Sequence, residues 1–229
     1  MLSGIGKWVS DLLRGYIWQN DMERKFHSLS LYVTTACNFH CSFCCAGTAM
    51  KATITPREVI ELGKHLGHVK ELIITGGEPT LHKHFPALME EIIKFDYDKL
   101  ILATNGFRVM KYWKLMKHFD EVRISHYTKD SGPEITDNTD TIEEILLAQG
   151  GPKRVVVQPI TLTDNDPDKK GVCGRANNGI ASYFNGKIYG CCVAAGMSEG
   201  MGVPFDSDWR QKAKYDTLPC YACVFATER

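Results

Sequence analysis

Nine cysteines fall in two groups, and their spacing is the first sign of chemistry in this 229-residue chain. Cys37, Cys41, Cys44 and Cys45 stand together; the rest are Cys173, Cys191, Cys192, Cys220 and Cys223. An odd number cannot pair fully into disulfides within one chain, and a disulfide scaffold would spread its cysteines along a much shorter sequence. Two thiolate groups so far apart point instead to two metal sites in a reducing cytoplasm. The run Cys37-Asn38-Phe39-His40-Cys41-Ser42-Phe43-Cys44 is a CxxxCxxC. Three thiolates on one tight loop can hold three irons of a [4Fe–4S] cube and leave the fourth iron open, or they can hold zinc. In the second group Cys173, twelve residues, Gly186, four residues and Cys191 form a CX12GX4C, and Cys220-Tyr221-Ala222-Cys223 adds a CxxC. Four thiolates suit one tetrahedral zinc ion or one [4Fe–4S] cluster.

The elements that must position these groups are legible between them. Short apolar runs at Leu29 to Thr34, Leu72 to Thr75, Leu100 to Thr104, Val122 to Ser125 and Val155 to Gln158 read as parallel strands buried on both faces. Thr55-Pro56-Arg57-Glu58 is a capping box with proline at the first helical position, and Gly67 is a plausible stop. Thr141 and Glu144 repeat the box before a helix ending at Gly150-Gly151. Phe85, Leu88, Met89, Ile92 and Ile93 make one apolar helical stripe, and Tyr112, Trp113, Leu115, Met116 and Phe119 make a less regular one. Five strands with four intervening helices predict an α/β fold, a partial barrel of about five to six parallel strands with its chemistry at the strand C-termini. The cysteine loop follows the first strand and Gly76-Gly77-Glu78-Pro79 the second. Thr104 and Asn105 end the third, Ser125 and His126 the fourth, and Gln158 the fifth. The scattered His65, His68, His82 and His84 read as surface histidines.

After Pro159 the pattern changes. Residues 163–170 are a polar linker, and Ile180 to Phe184 and Lys187 to Gly190 flank Asn185-Gly186, a strong hairpin signal. The expected organisation is therefore an N-terminal amphipathic helix over 1–28, a barrel over 29–162 and a cysteine-bearing appendage over 163–229. Lys+Arg and Asp+Glu number 27 each, so charge gives no reason to expect a nucleic-acid partner. No apolar run approaches the roughly 20 residues of a membrane span, and no signal-peptide pattern is read.

On the cysteine loop and the Gly-Gly-Glu-Pro turn, the sequence resembles the radical S-adenosylmethionine (SAM) enzymes, whose motif is CxxxCxΦC after the first barrel strand, here with Phe43 as the aromatic. The resemblance implies that Cys37, Cys41 and Cys44 ligate a [4Fe–4S] cluster whose open iron is chelated by SAM. It implies cofactor contacts from Phe43, Gly76, Gly77, Glu78, Thr104, Asn105, Ser125, His126 and Gln158. One electron would then cleave SAM to a 5′-deoxyadenosyl radical that abstracts a substrate hydrogen, with a flavodoxin- or ferredoxin-type donor as partner. The second cysteine group resembles the Twitch appendage, a truncated SPASM domain. That implies an auxiliary [4Fe–4S] cluster on Cys173, Cys191, Cys220 and Cys223, with Cys45 and Cys192 as spares.

The overall plan is similar to that of the 2-deoxy-scyllo-inosamine dehydrogenases. A fully ligated auxiliary cluster favours electron acceptance, so two-electron oxidation of a small polar substrate such as an amino-alcohol or sugar is expected. Peptide side-chain modification, isomerisation or carbon-bond formation on a nucleotide or metabolite, and a noncatalytic zinc or iron–sulfur module are the alternatives. Tyr127, Arg154 and Arg175 are candidate substrate contacts. Two acid-rich loops, around Asp130 to Asp140 and Asp164 to Asp168, read as solvated loops, although a cationic amino-sugar would suit them.

Overall fold

The computed structural model describes residues 27–41, 44, 52–127, 139–160, 172–173, 180–190, 202–209 and 226–227. Five strands lie parallel: β1 (Ser28–Tyr32), β2 (Val69–Thr75), β3 (Tyr97–Thr104), β4 (Glu121–Tyr127) and β5 (Arg154–Ile160). Between them run the helices α1 (Pro56–Leu66), α2 (Phe85–Ile92), α3 (Trp113–Met116) and α4 (Thr139–Ala148). The short β6 (Val172–Cys173) follows, and then β7 (Ile180–Phe184), β8 (Lys187–Tyr189), β9 (Val203–Pro204) and β10 (Ala226–Thr227). The main sheet has the order β5-β4-β3-β2-β1-β7-β8-β9 and does not close, which is the partial barrel expected. The hairpin joins that same sheet, because β7 pairs in parallel with β1. Its turn is the Asn185-Gly186 pair, at φ 49° and 75°, the left-handed conformation those two residues tolerate best.

Register explains the layering. Leu31, Ile74, Leu102, Val122 and Val155 form one apolar row across all five parallel strands. They join Val59, Leu62 and Leu66 of α1, Phe85, Leu88 and Met89 of α2, Met116 of α3 and Leu146 of α4 in a single core. All four helices therefore cover the same face, as right-handed crossovers require. Side chains alternate along a strand, so the opposite, concave face carries Ser30, Ile73, Ile101, Glu121 and Arg154 in the neighbouring row.

This alternation corrects the expectation of strands buried on both faces. β2 begins at Val69, β3 at Tyr97, β4 at Glu121 and β5 at Arg154, because Glu71, Lys99, Glu121 and Arg154 fit the concave face while their neighbours pack on helices. The first capping box forms as expected: the Thr55 amide donates to Glu58 Oε2 at 2.7 Å, and the Glu58 amide to Thr55 Oγ1 at 3.2 Å. α1 ends at Gly67, φ 63°. α4 starts at Thr139, so Thr141 lies inside its first turn rather than at the N-cap position the second box expects. The aromatic helical stripe breaks into a 3₁₀ turn (Val109–Tyr112) followed by the one-turn α3. His82 is not a surface histidine: it is 2% exposed, its Nε2 donates to Ile54 O at 2.8 Å, and its Nδ1 accepts from the His84 amide at 3.0 Å. The expected N-terminal helix before His27, the linker and the acid-rich loops lie outside the described residues, except that Asp140 falls in the first turn of α4; Phe43, Cys45, Arg175, Cys191, Cys192, Cys220 and Cys223 also lie outside them. Among the described residues no helix is long and apolar enough to cross a membrane.

Candidate cluster site at the carboxyl ends of the strands

The cysteine loop leaves β1 from a closed base. Thr35 and Ala52 bond in both directions, the Thr35 amide to Ala52 O at 2.9 Å and the Ala52 amide to Thr35 Oγ1 at 3.1 Å, while the Ile54 amide donates to Val33 O at 3.0 Å. Beyond that base Cys37 and Cys41 are half-buried and Cys44 is exposed, and none of the three is in a disulfide. The Cys44 amide donates to Cys41 O at 3.1 Å, which makes the CxxC part a tight turn. The Phe39 amide points at Cys37 Sγ from 3.4 Å. Among the described residues no three Cys, His, Asp or Glu side chains are gathered closely enough to enclose a single metal ion.

The glycines after β2 are there because two backbones meet. The Gly77 amide donates to Thr34 O at 2.7 Å and the Glu78 amide to Ala36 O at 2.8 Å, so the turn lies directly against the start of the cysteine loop. A Cβ on Gly77 would fall 2.5 Å from Ala36 O and 2.7 Å from Thr35 O, and one on Gly76 would collide with Thr34 O. Any larger residue would push the cysteine loop off the sheet.

Glu78 is fully buried, and its carboxylate is the hub of the site. Oε1 accepts from the Thr80 amide at 3.0 Å, from Thr80 Oγ1 at 2.5 Å and from Thr104 Oγ1 at 2.7 Å; Oε2 accepts from the Asn105 amide at 2.7 Å. Burial pushes this carboxyl above the usual range, and the four donors only partly offset it. Thr104, 3% exposed, completes its bonding by accepting from the Gly106 amide at 3.0 Å. Asn105, 4% exposed, sends Nδ2 to Asn38 Oδ1 at 2.9 Å and to Cys37 Sγ at 3.9 Å. The ends of β1, β2 and β3 are thereby tied into one unit.

The other expected contacts divide by parity. Ser125 and Gln158 sit opposite each other in register on the concave face, while His126 falls on the helix-facing parity of Ile124. Tyr127 closes β4. Arg154 begins β5, four residues and about 13 Å below Gln158, at the amino edge of the sheet. There it lies 3.8 Å from Glu121 Oε2, beside Lys99 at 2.7 Å and Arg123 Nε at 2.5 Å from Oε1. Sequence reasoning missed Asn38 and Thr80. Each stands next to a motif residue, and that adjacency was the only signal available.

The profile of the Radical SAM superfamily matches residues 31–159. This chain belongs to the radical SAM superfamily. Its members use SAM and a [4Fe–4S] cluster. A GTP 3',8-cyclase of Tolumonas auensis is 35% identical over 101 residues, 41% of this chain and 30% of that protein. A GTP 3',8-cyclase of Vibrio cholerae is 29% identical over 142 residues, 58% of this chain and 39% of that one. The chain thus spans roughly a third of the length of these radical SAM relatives. Among solved structures, Streptococcus suis SuiB bound to precursor peptide SuiA is similar in fold, with a TM-score of 0.51 at 13% identity, covering 99% of this chain and 73% of that one.

The residues present fit a superfamily cluster. Burial raises the Cys37 thiol above its ordinary value, the Phe39 backbone N–H partly offsets this, and Glu78 and Cys44 raise it further. Every donor to Glu78 is neutral, and N–H groups already aim at the Cys37 sulfur. An iron cluster held by Cys37, Cys41 and Cys44 would bring positive charge next to these groups.

Proposed function

We propose that this chain cleaves SAM reductively and removes a hydrogen atom from a small polar substrate. The observation that carries this reading is the single bonded unit of Cys37, Glu78 and Asn105, which fixes three strand-end loops around one mouth. When bound, the cluster and SAM supply one-electron cleavage to a 5′-deoxyadenosyl radical, and the electron comes from a flavodoxin- or ferredoxin-type donor. Cys37, Cys41 and Cys44 hold the cluster. The Gly76-Gly77 backbone, with Ser125 and Gln158 on the concave face, lines the cofactor position, while Glu78 and Thr104 set the loops that form it. For the substrate step we favour two-electron oxidation of an amino-alcohol or sugar. Four further thiolates, Cys173, Cys191, Cys220 and Cys223, leave no open iron for substrate and suit electron acceptance. In support, Ala226 pairs opposite Cys173, which returns the chain just beyond Cys223 to Cys173.

A second reading, carbon-bond formation on a nucleotide, is favoured by the relatives named GTP 3',8-cyclase.

Anaerobic reconstitution of the full chain tests the proposal. About eight irons per chain, a resonance signal altered by SAM and release of 5′-deoxyadenosine are expected, with Cys41→Ala abolishing the last two. Zinc at both cysteine groups would end the enzyme reading. Incubation with candidate amino-alcohols and with nucleoside triphosphates separates the substrate readings, since a product at the substrate's own oxidation state would refute oxidation.

A further inference from the structure

The neutral network around Glu78 continues to a sulfur atom, and its last member has its orientation fixed. The Phe107 amide donates to Asn105 Oδ1 at 3.0 Å. A backbone N–H can only donate, so the oxygen of the Asn105 side chain must face Phe107 and its NH₂ must face the other way. There it meets Asn38 Oδ1 at 2.9 Å and Cys37 Sγ at 3.9 Å. The Asn105 amide is pinned in turn by Glu78 Oε2 at 2.7 Å, so the side chain has no freedom to swing from the loop. The backbone N–H and both side-chain polar atoms of Asn105 are thus spent among Glu78, Asn38, Cys37 and Phe107, and the residue is 4% exposed.

We propose that Asn105 is a positioning residue for Cys37, whose NH₂ group acts on the thiolate sulfur and thereby raises the reduction potential of the cluster. This rests on the reading of Cys37 as a cluster ligand. Reduction adds negative charge that is shared with the ligand sulfurs, and an N–H dipole aimed at a sulfur stabilises that charge. Neutrality matters. Glu78 is buried nearby, and the Asn105 side-chain amide, like the Phe39 backbone N–H, reaches the sulfur without adding a formal charge.

The test uses the reconstituted full chain and reads iron retention and potential, not turnover. Asn105→Ala removes the contacts to both Cys37 and Asn38. Asn105→Asp keeps the shape and the acceptor for Phe107 while replacing the donor by a carboxylate, and it serves if the alanine variant fails to fold. Asn38→Ala removes the Asn38 tie alone. Expected are a midpoint more negative than wild type in Asn105→Ala, more negative still in Asn105→Asp, and unchanged in Asn38→Ala. Iron should leave to a chelator about tenfold faster in both Asn105 variants. Wild-type midpoints in both would overturn the assignment, whatever their iron retention, because a merely structural tie does not move the potential. A wild-type chain that binds no SAM-responsive cluster would instead refute the reading beneath it.

Discussion

At the carboxyl edge of the sheet the Glu78 carboxylate is fully buried and receives only neutral donors from Thr80, Thr104 and Asn105. At the amino edge Glu121 is 3% exposed and receives Lys99, Arg123 and, farther off, Arg154. Both side chains are shielded from solvent, Glu78 deep within the fold and Glu121 close to the edge of the sheet, and they are driven in opposite directions. Burial dominates at Glu78 and raises its carboxyl; burial also opposes the charge of Glu121, but hydrogen bonds from Lys99 and Arg123 outweigh it and hold that carboxyl low. The amino edge is a charge-compensated floor, complete in itself. At the carboxyl edge the donors to Glu78 among the described residues are all neutral, which is how a site suited to a metal cluster differs from one that only closes a sheet.

The largest expected effect follows from removing the hub. Glu78→Ala strands four buried donors, and the lost bonds to a buried carboxylate should cost about 3 kcal/mol. For a chain of this length the melting midpoint should fall by roughly 6–12 °C, with loss of iron binding. A variant that keeps its iron would show that the three loops hold the cysteines without Glu78. At the floor, Glu121→Gln leaves Lys99 and Arg123 partly solvated, at 33% and 31% side-chain exposure, so about 1–2 kcal/mol is expected and iron binding should be untouched.

Opposite shifts demand opposite pH slopes. A carboxyl held below its ordinary 4.5 in the folded state binds fewer protons there than in the unfolded chain. Glu121 therefore contributes stability above pH 4.5 that is lost as pH falls through its folded value, and the gap between wild type and Glu121→Gln should narrow on acidification. Glu78 has its folded value above 4.5, so the native state holds its proton more tightly. Its contribution declines as pH rises from 4.5 through that folded value, a decline that Glu78→Gln should lack. Urea midpoints of each variant against wild type between pH 4 and 7 read both slopes; parallel slopes would dissolve the contrast between the edges.

How much of this was legible in sequence depended on how local the physics is. The capping box of Thr55 and Glu58, the Asn185-Gly186 turn and the placement of Gly76-Gly77 after β2 are short-range, and each lies where its spacing put it. The reason for the glycines was not legible, because it is the backbone of Thr34 to Ala36, some forty residues away in sequence. The tie from Asn105 to Asn38 spans 67 residues and leaves no periodic trace. His82 looked like a surface histidine because nothing nearby announces that Ile54 O will receive its Nε2. The charged residues that begin β3, β4 and β5 were left outside the strands, since a search for continuous apolar runs cannot see a concave face that tolerates Lys99, Glu121 and Arg154.

Arg154 gives the smallest expected effect and the sharpest division between the edges. In sequence it was a candidate substrate contact, next to a strand expected to open toward the mouth. In the fold it begins β5, 69% exposed and 3.8 Å from Glu121, about 13 Å of strand below Gln158. An exposed cation at that distance from a carboxylate already held by Lys99 and Arg123 adds little, so Arg154→Ala should change stability by no more than about 0.5 kcal/mol. It should also leave KM and kcat for any substrate of the wild-type enzyme unchanged, whereas Gln158→Ala, at the other end of the same strand and facing Ser125, should raise KM. A rise in KM for Arg154→Ala equal to that for Gln158→Ala would mean that substrate reaches the floor of the barrel, and the cations around Glu121 would then belong to the binding site.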